Sequence, residues 1–278
     1  MRKQSRITKI LATVIMLGVG ILFITPLLWM ISSSLKMNRE VFAVEFHWIP
    51  EVIQWKNYKT VLTSKSIPMM TMFWNSFYLA VVDILGQVLF CSLAAYAFAI
   101  IPFKGKDFVF LLLLAATMIP GQATMIPKFM MFKWMGLYNT HWSLILPGWL
   151  SIGSIFLLRQ FNMKIPRDLV EAARVDGASH FQIWLRIMIP LTKTALTSIA
   201  ILAFINSWDN FLGPLIYLTK KELFTVSLGV NMYSAGADAD RMHLVMTAST
   251  LSILPILLFF AICQKQFVEG IATSGVKG

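Results

Sequence analysis

The sequence predicts an all-α integral membrane protein with six transmembrane helices. Of its 278 residues, 57% are hydrophobic and only 13% are charged, and the mean hydropathy is +0.70. A soluble domain carries about 25% charged residues, so this chain cannot hide its apolar surface in a water-soluble core. A transmembrane helix needs about 20 mostly apolar residues in succession. The sequence contains six runs of that kind.

The six apolar runs follow one another along the chain. They cover residues 11–31, 73–100, 108–127, 142–158, 195–218 and 244–263, with approximate limits. The first is preceded by a cluster of basic residues: Arg2, Lys3, Arg6 and Lys9. A signal peptide begins in this way, but this apolar stretch is too long and no cleavage site of small residues follows before Lys36. We therefore expect it to remain as a transmembrane helix.

The basic residues predict the orientation of these helices, because short loops rich in Lys and Arg stay in the cytoplasm. With both termini in the cytoplasm, the inner segments hold more than half of the 24 basic residues. The chain is then one multi-pass membrane domain, 1–278. Its predicted parts are an N-terminal helix at 1–35, an outer loop at 36–72, a core at 73–264 with an inner segment at 161–193, and a cytoplasmic tail at 265–278.

The polar segment between the fourth and fifth runs predicts a helix, a turn and a second helix. Pro166 suits the first turn of a helix, where its missing N–H would be unpaired anyway. Gly177 suits the end of that helix because glycine adopts a positive φ without steric cost. Ser179 and Gln182 have the spacing of a capping box, which begins another helix. Pro190 marks a break before the next apolar run.

Residues 171–190 resemble the EAA loop of the permease subunits of ABC importers. The family pattern is Glu-Ala-Ala, three residues, Gly, nine residues and then Ile-x-Leu-Pro. Only Ile189 departs from the pattern, and its replacement of Leu conserves volume. The resemblance implies a cytoplasmic coupling loop that docks onto a separate ATPase. It assigns this role to Glu171, Ala172, Ala173, Asp176, Gly177, Ile187 and Pro190.

A second group of polar residues lies within the fifth apolar run. We expect Asn206, Asp209 and Asn210 to share one helix face, since they are three or four positions apart. Together with Trp208 they are candidates to line the path of a solute. A polar lock between two permease subunits explains them equally well. The stretch 208–215 also resembles the W-N-x-F-L-x-P-L stretch of sugar permeases, with Asp209 in place of the usual Asn.

Asp83 lies inside the second apolar run, four positions before Gln87. An ionisable group at membrane depth is expected to face a cavity or a partner. We expect this pair to hydrogen-bond, and we expect Asp83 to have a structural role rather than a role in contacting solute.

The C-terminal residues 267–278 resemble the tail of the second permease subunit of maltose-type importers, F-V-x-G-x-x-x-G-A-V-K-G, with Ser274 shifted into the small-residue stretch. With the EAA-like loop, this resemblance identifies the chain as a permease subunit of a bacterial carbohydrate ABC importer in the cell membrane. The resemblance implies that this chain forms half of a heterodimeric translocation pathway through the lipid bilayer. The implied partners are a second permease subunit, two ATPase subunits, an extracytoplasmic solute-binding protein and the sugar.

The sequence carries no motif for catalysis. No Walker A pattern surrounds Gly105-Lys106, so ATP and Mg²⁺ are expected in the partner ATPase subunits and no cofactor is expected in this chain. The four histidines are far apart, and Cys91 and Cys263 lie in apolar runs, so neither a metal site nor a disulfide is expected. The scattered basic residues favour membrane topology over nucleic-acid binding.

Three alternatives remain open. A permease of the same superfamily for glycerol phosphate, a polyol or a uronate oligomer would carry the same loop. A secondary transporter driven by an ion gradient would show inverted internal repeats, and the sequence shows none. A membrane enzyme would need a nucleophile or a metal cluster, for which the sequence offers no residues.

Overall fold

The computed structural model describes residues 6–43, 45, 47–235 and 241–275. Within these ranges, side chains are described from residue 9 to residue 264. This part of the chain contains no strand. The all-α prediction is thus confirmed. The helices are α1 (Arg6–Ser34), α2 (Asn38–Val41), α3 (Lys56–Thr63), α4 (Met69–Gly86), α5 (Ser92–Ile100), α6 (Lys106–Ala116), α7 (Met125–Trp134), α8 (Trp142–Gly148), α9 (Ile152–Asn162), α10 (Arg167–Val175), α11 (His180–Ile183), α12 (Ile189–Leu191), α13 (Lys193–Trp208), α14 (Leu212–Tyr217), α15 (Val226–Ala235) and α16 (Met242–Gly275). Two π-helical turns, Gln87–Cys91 and Trp184–Met188, connect neighbouring helices, and Lys221–Leu223 is a 3-10 turn.

Several helices are long and apolar enough to cross a membrane. In the described part of the chain, four meet this condition: Lys9–Ser34, Met69–Ile100, Trp142–Asn162 and Met242–Gln264. A fifth span results if the bent pair His180–Leu191 and Lys193–Trp208, which meet at 83°, counts as one. These spans correspond to the first, second, fourth and sixth predicted runs and to part of the fifth.

The third predicted run is not one continuous helix. α6 ends at Ala116 and α7 begins only at Met125. Pro120 lies between them. It has no N–H to donate to the carbonyl of Ala116, and its ring would clash with that carbonyl in a helix. The prediction of an unbroken helix over 108–127 is therefore wrong.

The fifth predicted run is also interrupted, at residues 209–211 between α13 and α14. Pro214 cannot donate to the carbonyl of Asn210 as a helical residue would. The hydroxyl of Ser227 donates to that carbonyl instead, at 2.7 Å. Asp209 is consequently the C-cap of α13. The prediction that it lies within a continuous helix is wrong.

The chain divides into two compact units, of which the first comprises Met1–Met70 and Gly229–Leu254. In this unit the C-terminus of α1 is held by polar side chains. Asn57 donates to the carbonyls of Ser34 and Lys36 at 2.9 and 3.0 Å, and Thr247 donates to the carbonyl of Ser34 at 3.0 Å. A helix leaves its last four carbonyls without intrahelical partners, and Asn57 and Thr247 supply donors to the last of them, that of Ser34.

The second unit comprises Thr71–Leu228 and Pro255–Gly278 and contains both predicted functional segments. One of its buried clusters joins α5, α6, α9 and α13 through Ala95, Phe110, Ile155, Leu158, Ala195 and Ile199. The guanidinium of Arg159 binds Asp107 Oδ1 at 3.1 Å and lies 4.3 Å from the centre of the Phe110 ring. This contact fastens the end of α9 to the start of α6.

The predicted C-terminal tail, 265–278, begins as a continuation of α16. The helix extends to Gly275, and residues 276–278 lie outside the described residues.

Candidate functional site

The segment between α9 and α13 contains a helix, a sharp turn and a second helix. α10 ends at Val175, and Gly177 has a φ of +80°. The N–H of Gly177 donates to the carbonyl of Arg174 at 3.1 Å, and the N–H of Ala178 donates to the carbonyl of Ala173 at 2.9 Å. This pair of bonds is the Schellman motif, which requires a left-handed residue at the position of Gly177.

The second helix begins with the capping box that the sequence predicts. The N–H of Ser179 donates to Oε1 of Gln182 at 2.8 Å, and the N–H of Gln182 donates to Oγ of Ser179 at 3.3 Å. Each side chain satisfies a backbone group that the start of a helix leaves unpaired. The turn is therefore fixed on both sides, by the glycine before it and by the capping box after it.

Side chains from this segment anchor it to α5. Tyr96 and His180 are hydrogen-bonded, with 2.9 Å between the hydroxyl and Nδ1, and the indole of Trp184 donates to Oγ of Ser92 at 3.2 Å. Tyr96 and Trp184 also belong to one buried hydrophobic cluster with Val170 of α10. These contacts join the segment to α5, which is part of a candidate membrane span.

The predicted coupling residues divide by exposure. Those exposed are Glu171, Ala172, Asp176, Gly177 and Pro190. Ala173 and Ile187 instead pack against the buried cluster around Trp184. Val175 was not predicted from the sequence, yet its apolar side chain is 88% exposed next to the turn. An apolar residue on the polar face of a short helix is the signal that would have indicated it.

A cavity of about 280 Å³ lies within the second unit. Its wall includes Asp83, Gln87, Lys128, Asn206, Asn210 and Tyr217. The two asparagines were predicted from the sequence for this role, and the structure places them together. Lys128 and Tyr217 were not predicted. The cavity combines amides, a carboxylate, an ammonium group and an aromatic ring, which are groups that bind a polar organic solute.

Asp83 has bonding partners different from the predicted one. It is only 7% exposed, and its Oδ2 accepts a hydrogen bond from Ser207 at 2.6 Å. Gln87 Oε1 accepts from Ser154 at 3.1 Å. The predicted hydrogen bond between Asp83 and Gln87 is therefore wrong, since both side chains bond to other helices. Oδ1 of Asp83 is buried and has no hydrogen-bond partner among the described residues.

Asp83 packs closely against Gly148 at the end of α8. A Cβ on Gly148 would lie 2.5 Å from Oδ1 of Asp83. We expect Gly148→Ala to displace this carboxylate, which forms part of the cavity wall, and to cost about 1–3 kcal/mol in stability. The stability of the purified protein in a thermal unfolding assay measures this effect.

The matched control is Gly153→Ala in α9, where the nearest atom would be Ser151 Oγ at 3.9 Å. It should leave stability close to that of the wild type. Equal stability of the Gly148 and Gly153 variants would show that the tight contact with Asp83 is unimportant.

Trp208 and Asp209 do not line this cavity. Asp209 is exposed beyond the end of α13, so the prediction that it shares a helix face with Asn206 and Asn210 is wrong. Trp208 is 2% exposed and stacks on Phe204, with 5.5 Å between ring centres. Its environment is that of a packing residue.

The described residues offer no obvious place for a metal ion. No group of three or more His, Cys, Asp or Glu side chains among them is arranged to hold one. Cys91 and Cys263 are both free thiols in this part of the chain.

A family model matches residues 4–273, nearly the entire chain. The family is described as "Binding-protein-dependent transport system inner membrane component". The chain is 32% identical over 277 residues to the arabinooligosaccharides transport system permease protein AraQ of Bacillus subtilis, covering 99% of this chain and 98% of the relative. It is 31% identical to the sn-glycerol-3-phosphate transport system permease protein UgpE of Pectobacterium atrosepticum, covering 94% of this chain and 95% of the relative.

The fold is also similar to a solved structure. A chain from a bacterial ABC transporter involved in the import of the acidic polysaccharide alginate superimposes with a TM-score of 0.82. The two chains are 25% identical, and the match covers 96% of this chain and all of the other.

Proposed function

Because the chain belongs to the family of binding-protein-dependent transport system inner membrane components, we propose that it is a permease subunit of an ATP-driven importer of a sugar or oligosaccharide. The observation that carries this proposal is the rigid turn at Gly177, which presents exposed residues on a segment anchored to α5. The saccharide is inferred from relatives named for arabinooligosaccharides and alginate.

The segment 161–193 acts as the coupling loop that docks onto a separate ATPase subunit. One face of α10 supports this role, because Leu169 and Val175 are 46% and 88% exposed and Ala172 lies between them. Exposed apolar side chains beside charged Glu171 and Asp176 suit insertion into a socket on another protein. Ala173, Gly177, Ile187 and Pro190 give the segment its shape. ATP and Mg²⁺ bind in the partner ATPases, and this chain holds no cofactor.

Transport proceeds by alternating access. ATP-driven closure of two ATPase subunits moves the coupling loops, and the rigid anchoring of α10 and α11 carries that movement into α5. The pathway has two discrete arrangements, open to either side, as in other interface-driven switches. This chain forms half of the pathway, and a second, different permease subunit forms the rest. A solute-binding protein outside the membrane delivers the sugar.

The chain crosses the cytoplasmic membrane six times with both termini inside. The cluster of basic residues that precedes the first apolar run supports this orientation. The remaining span is the third run, which consists of α6 and α7 and is not a single long helix. Irregular backbone is tolerated in a membrane where protein or a cavity surrounds it. Residues 36–72 then lie outside, and the tail at 265–278 lies in the cytoplasm.

The solute passes the cavity that Asn206 and Asn210 line, and Asp209 contributes to the same pathway from the end of α13. We expect Asp209→Asn to insert and assemble normally but to change sugar uptake or selectivity, since it keeps the shape and removes the charge. Asp209→Leu should impair transport further. Uptake normalised to the amount of assembled complex measures both effects.

A role of Asp209 as a lock between permease subunits gives a different result. Both variants would then reduce assembly with the partner permease before uptake per complex changed. An unchanged normalised rate and an unchanged sugar preference would remove Asp209 from the pathway.

Glycerol phosphate is the second candidate solute, favoured by the UgpE relative and by Lys128 in the cavity wall. Proteoliposomes containing the complete transporter, with ATP inside, distinguish the two. We expect uptake of labelled arabinotriose above that of sn-glycerol 3-phosphate. Uptake of glycerol phosphate alone would contradict the saccharide assignment.

A further inference from the structure

A basic pocket of about 190 Å³ lies beside the coupling loop, within the second unit. Three cations line it: Lys106 at the start of α6, and Arg167 and Arg174 on α10. His180 lines it too, and Glu171 is its one acidic residue. Arg167 and Arg174 lie on a different face of α10 from Ala172 and Val175. Glu171 belongs both to the pocket wall and to the surface proposed to dock the ATPase, so the pocket borders that surface.

The three cations lack acidic partners within the described chain. The neighbouring Arg159 binds Asp107, but no described carboxylate lies within 4.0 Å of the charged atoms of Lys106, Arg167 or Arg174. Cations gathered in one pocket repel one another, and a bound anion relieves that repulsion. The pocket is therefore matched in charge to an anionic group.

The position of the pocket indicates what carries that anionic group. Ile100 and Pro102 form part of its wall, and Ile100 is the last residue of the candidate membrane span Met69–Ile100. The two helices that begin at the pocket, α6 and α11, carry exposed large apolar side chains. Phe108 of α6 is 64% exposed, and Phe181 of α11 is 59% exposed. An anionic group at the end of a span, beside exposed apolar surface, matches a phospholipid in the inner leaflet.

We propose that this pocket binds the headgroup of an anionic phospholipid. Its phosphate lies among Lys106, Arg167 and Arg174, and its acyl chains lie against the neighbouring apolar surface. The lipid connects α6 with α10 and so supports the base of the coupling loop from the membrane side. Only the placement of this pocket in the inner leaflet rests on the orientation proposed above.

Lipid retention by the purified transporter complex tests this site without requiring transport. The complex is exchanged into vesicles of equal parts phosphatidylglycerol and phosphatidylcholine, purified again, and its bound lipids are identified by mass spectrometry. We expect selective retention of phosphatidylglycerol. Lys106→Gln and Arg174→Gln should each lower that retention roughly five-fold, since one basic residue near a membrane surface contributes about 1 kcal/mol.

Arg186→Gln is the matched control, because it removes one exposed positive charge from the same segment outside the pocket. It should retain phosphatidylglycerol as the wild type does. An equal loss in all three variants would show general surface attraction and overturn the assignment. So would wild-type complex with no preference for phosphatidylglycerol.

Two further results would assign the pocket to another ligand. Displacement of phosphatidylglycerol by added inorganic phosphate would make it a site for free phosphate. Retention only in the permease pair stripped of its ATPase subunits would show that the ATPase occupies the pocket. Each of these results overturns the lipid assignment and leaves the proposed transport function untouched.

Discussion

Gly177→Val is expected to abolish most of the coupling between ATP hydrolysis and transport while leaving the protein inserted in the membrane. Gly177 has a φ of +80°, and a β-branched residue is strongly disfavoured there. A Cβ at this position would have no other atom within 4 Å to clash with, so the effect comes from backbone conformation alone. A cost of about 1–2 kcal/mol lowers the ratio of native to non-native turn roughly 5–30-fold. Sugar-stimulated ATP hydrolysis and sugar uptake, each per assembled complex, measure the loss.

Gly177→Asn is the control, because Asn is the non-glycine residue that most readily adopts a positive φ. Gly177→Asn should retain much of the coupling although it, too, adds a side chain at this position. Normal sugar-stimulated hydrolysis in the Val variant would show that the turn has no role in docking the ATPase.

Trp208→Ala is expected to cause the largest loss of stability, about 3–5 kcal/mol. Trp208 is 2% exposed, and its ring centre lies 5.5 Å from that of Phe204 and 5.9 Å from that of Phe73. Phe204 stacks in turn on Phe259 at 4.3 Å. Removing the indole therefore leaves a cavity among aromatic side chains that pack against one another. The thermal unfolding midpoint of the purified complex and its yield from the membrane measure the effect.

The same variant separates packing from solute contact. Uptake per assembled complex should remain near that of the wild type, and Trp208→Phe should restore much of the stability because it keeps the ring stacking. A Trp208→Ala complex that is stable but prefers a different sugar would place this residue in the pathway after all.

The coupling segment was the most predictable part of the chain because its signals are local. Gly177 ends one helix, and Ser179 with Gln182 begins the next, all within six positions of sequence. Each signal acts through backbone groups a few residues away. The structure therefore reproduces both the turn and the capping box. The membership of the family was likewise predictable, because the spacing of the loop residues is specific.

The breaks in the third and fifth apolar runs were not predicted, because hydropathy over a window of about 20 residues is insensitive to a single proline. Pro120 and Pro214 each deny a hydrogen bond to the carbonyl four residues earlier, and the helices end accordingly. Attention to those two prolines would have removed Asp209 from the middle of a helix.

The surroundings of Asp83 could not be predicted for a different reason. Its hydrogen-bond donor, Ser207, is 124 positions away in sequence, and the contact with Gly148 depends on how α4 and α8 pack. A sequence shows that a buried carboxylate needs a partner, but it does not show which distant residue supplies one. For Asp83 it suggested a near neighbour, Gln87, which bonds elsewhere.

The most direct test of the central claim is the energy source for uptake by the complete transporter in proteoliposomes. The complex contains this chain, its partner permease and the ATPase subunits, with the solute-binding protein and labelled sugar outside. We expect uptake only with ATP and Mg²⁺ inside, together with faster ATP hydrolysis when sugar-loaded binding protein is present. Uptake driven by an imposed ion gradient without ATP would contradict the assignment and identify a secondary transporter.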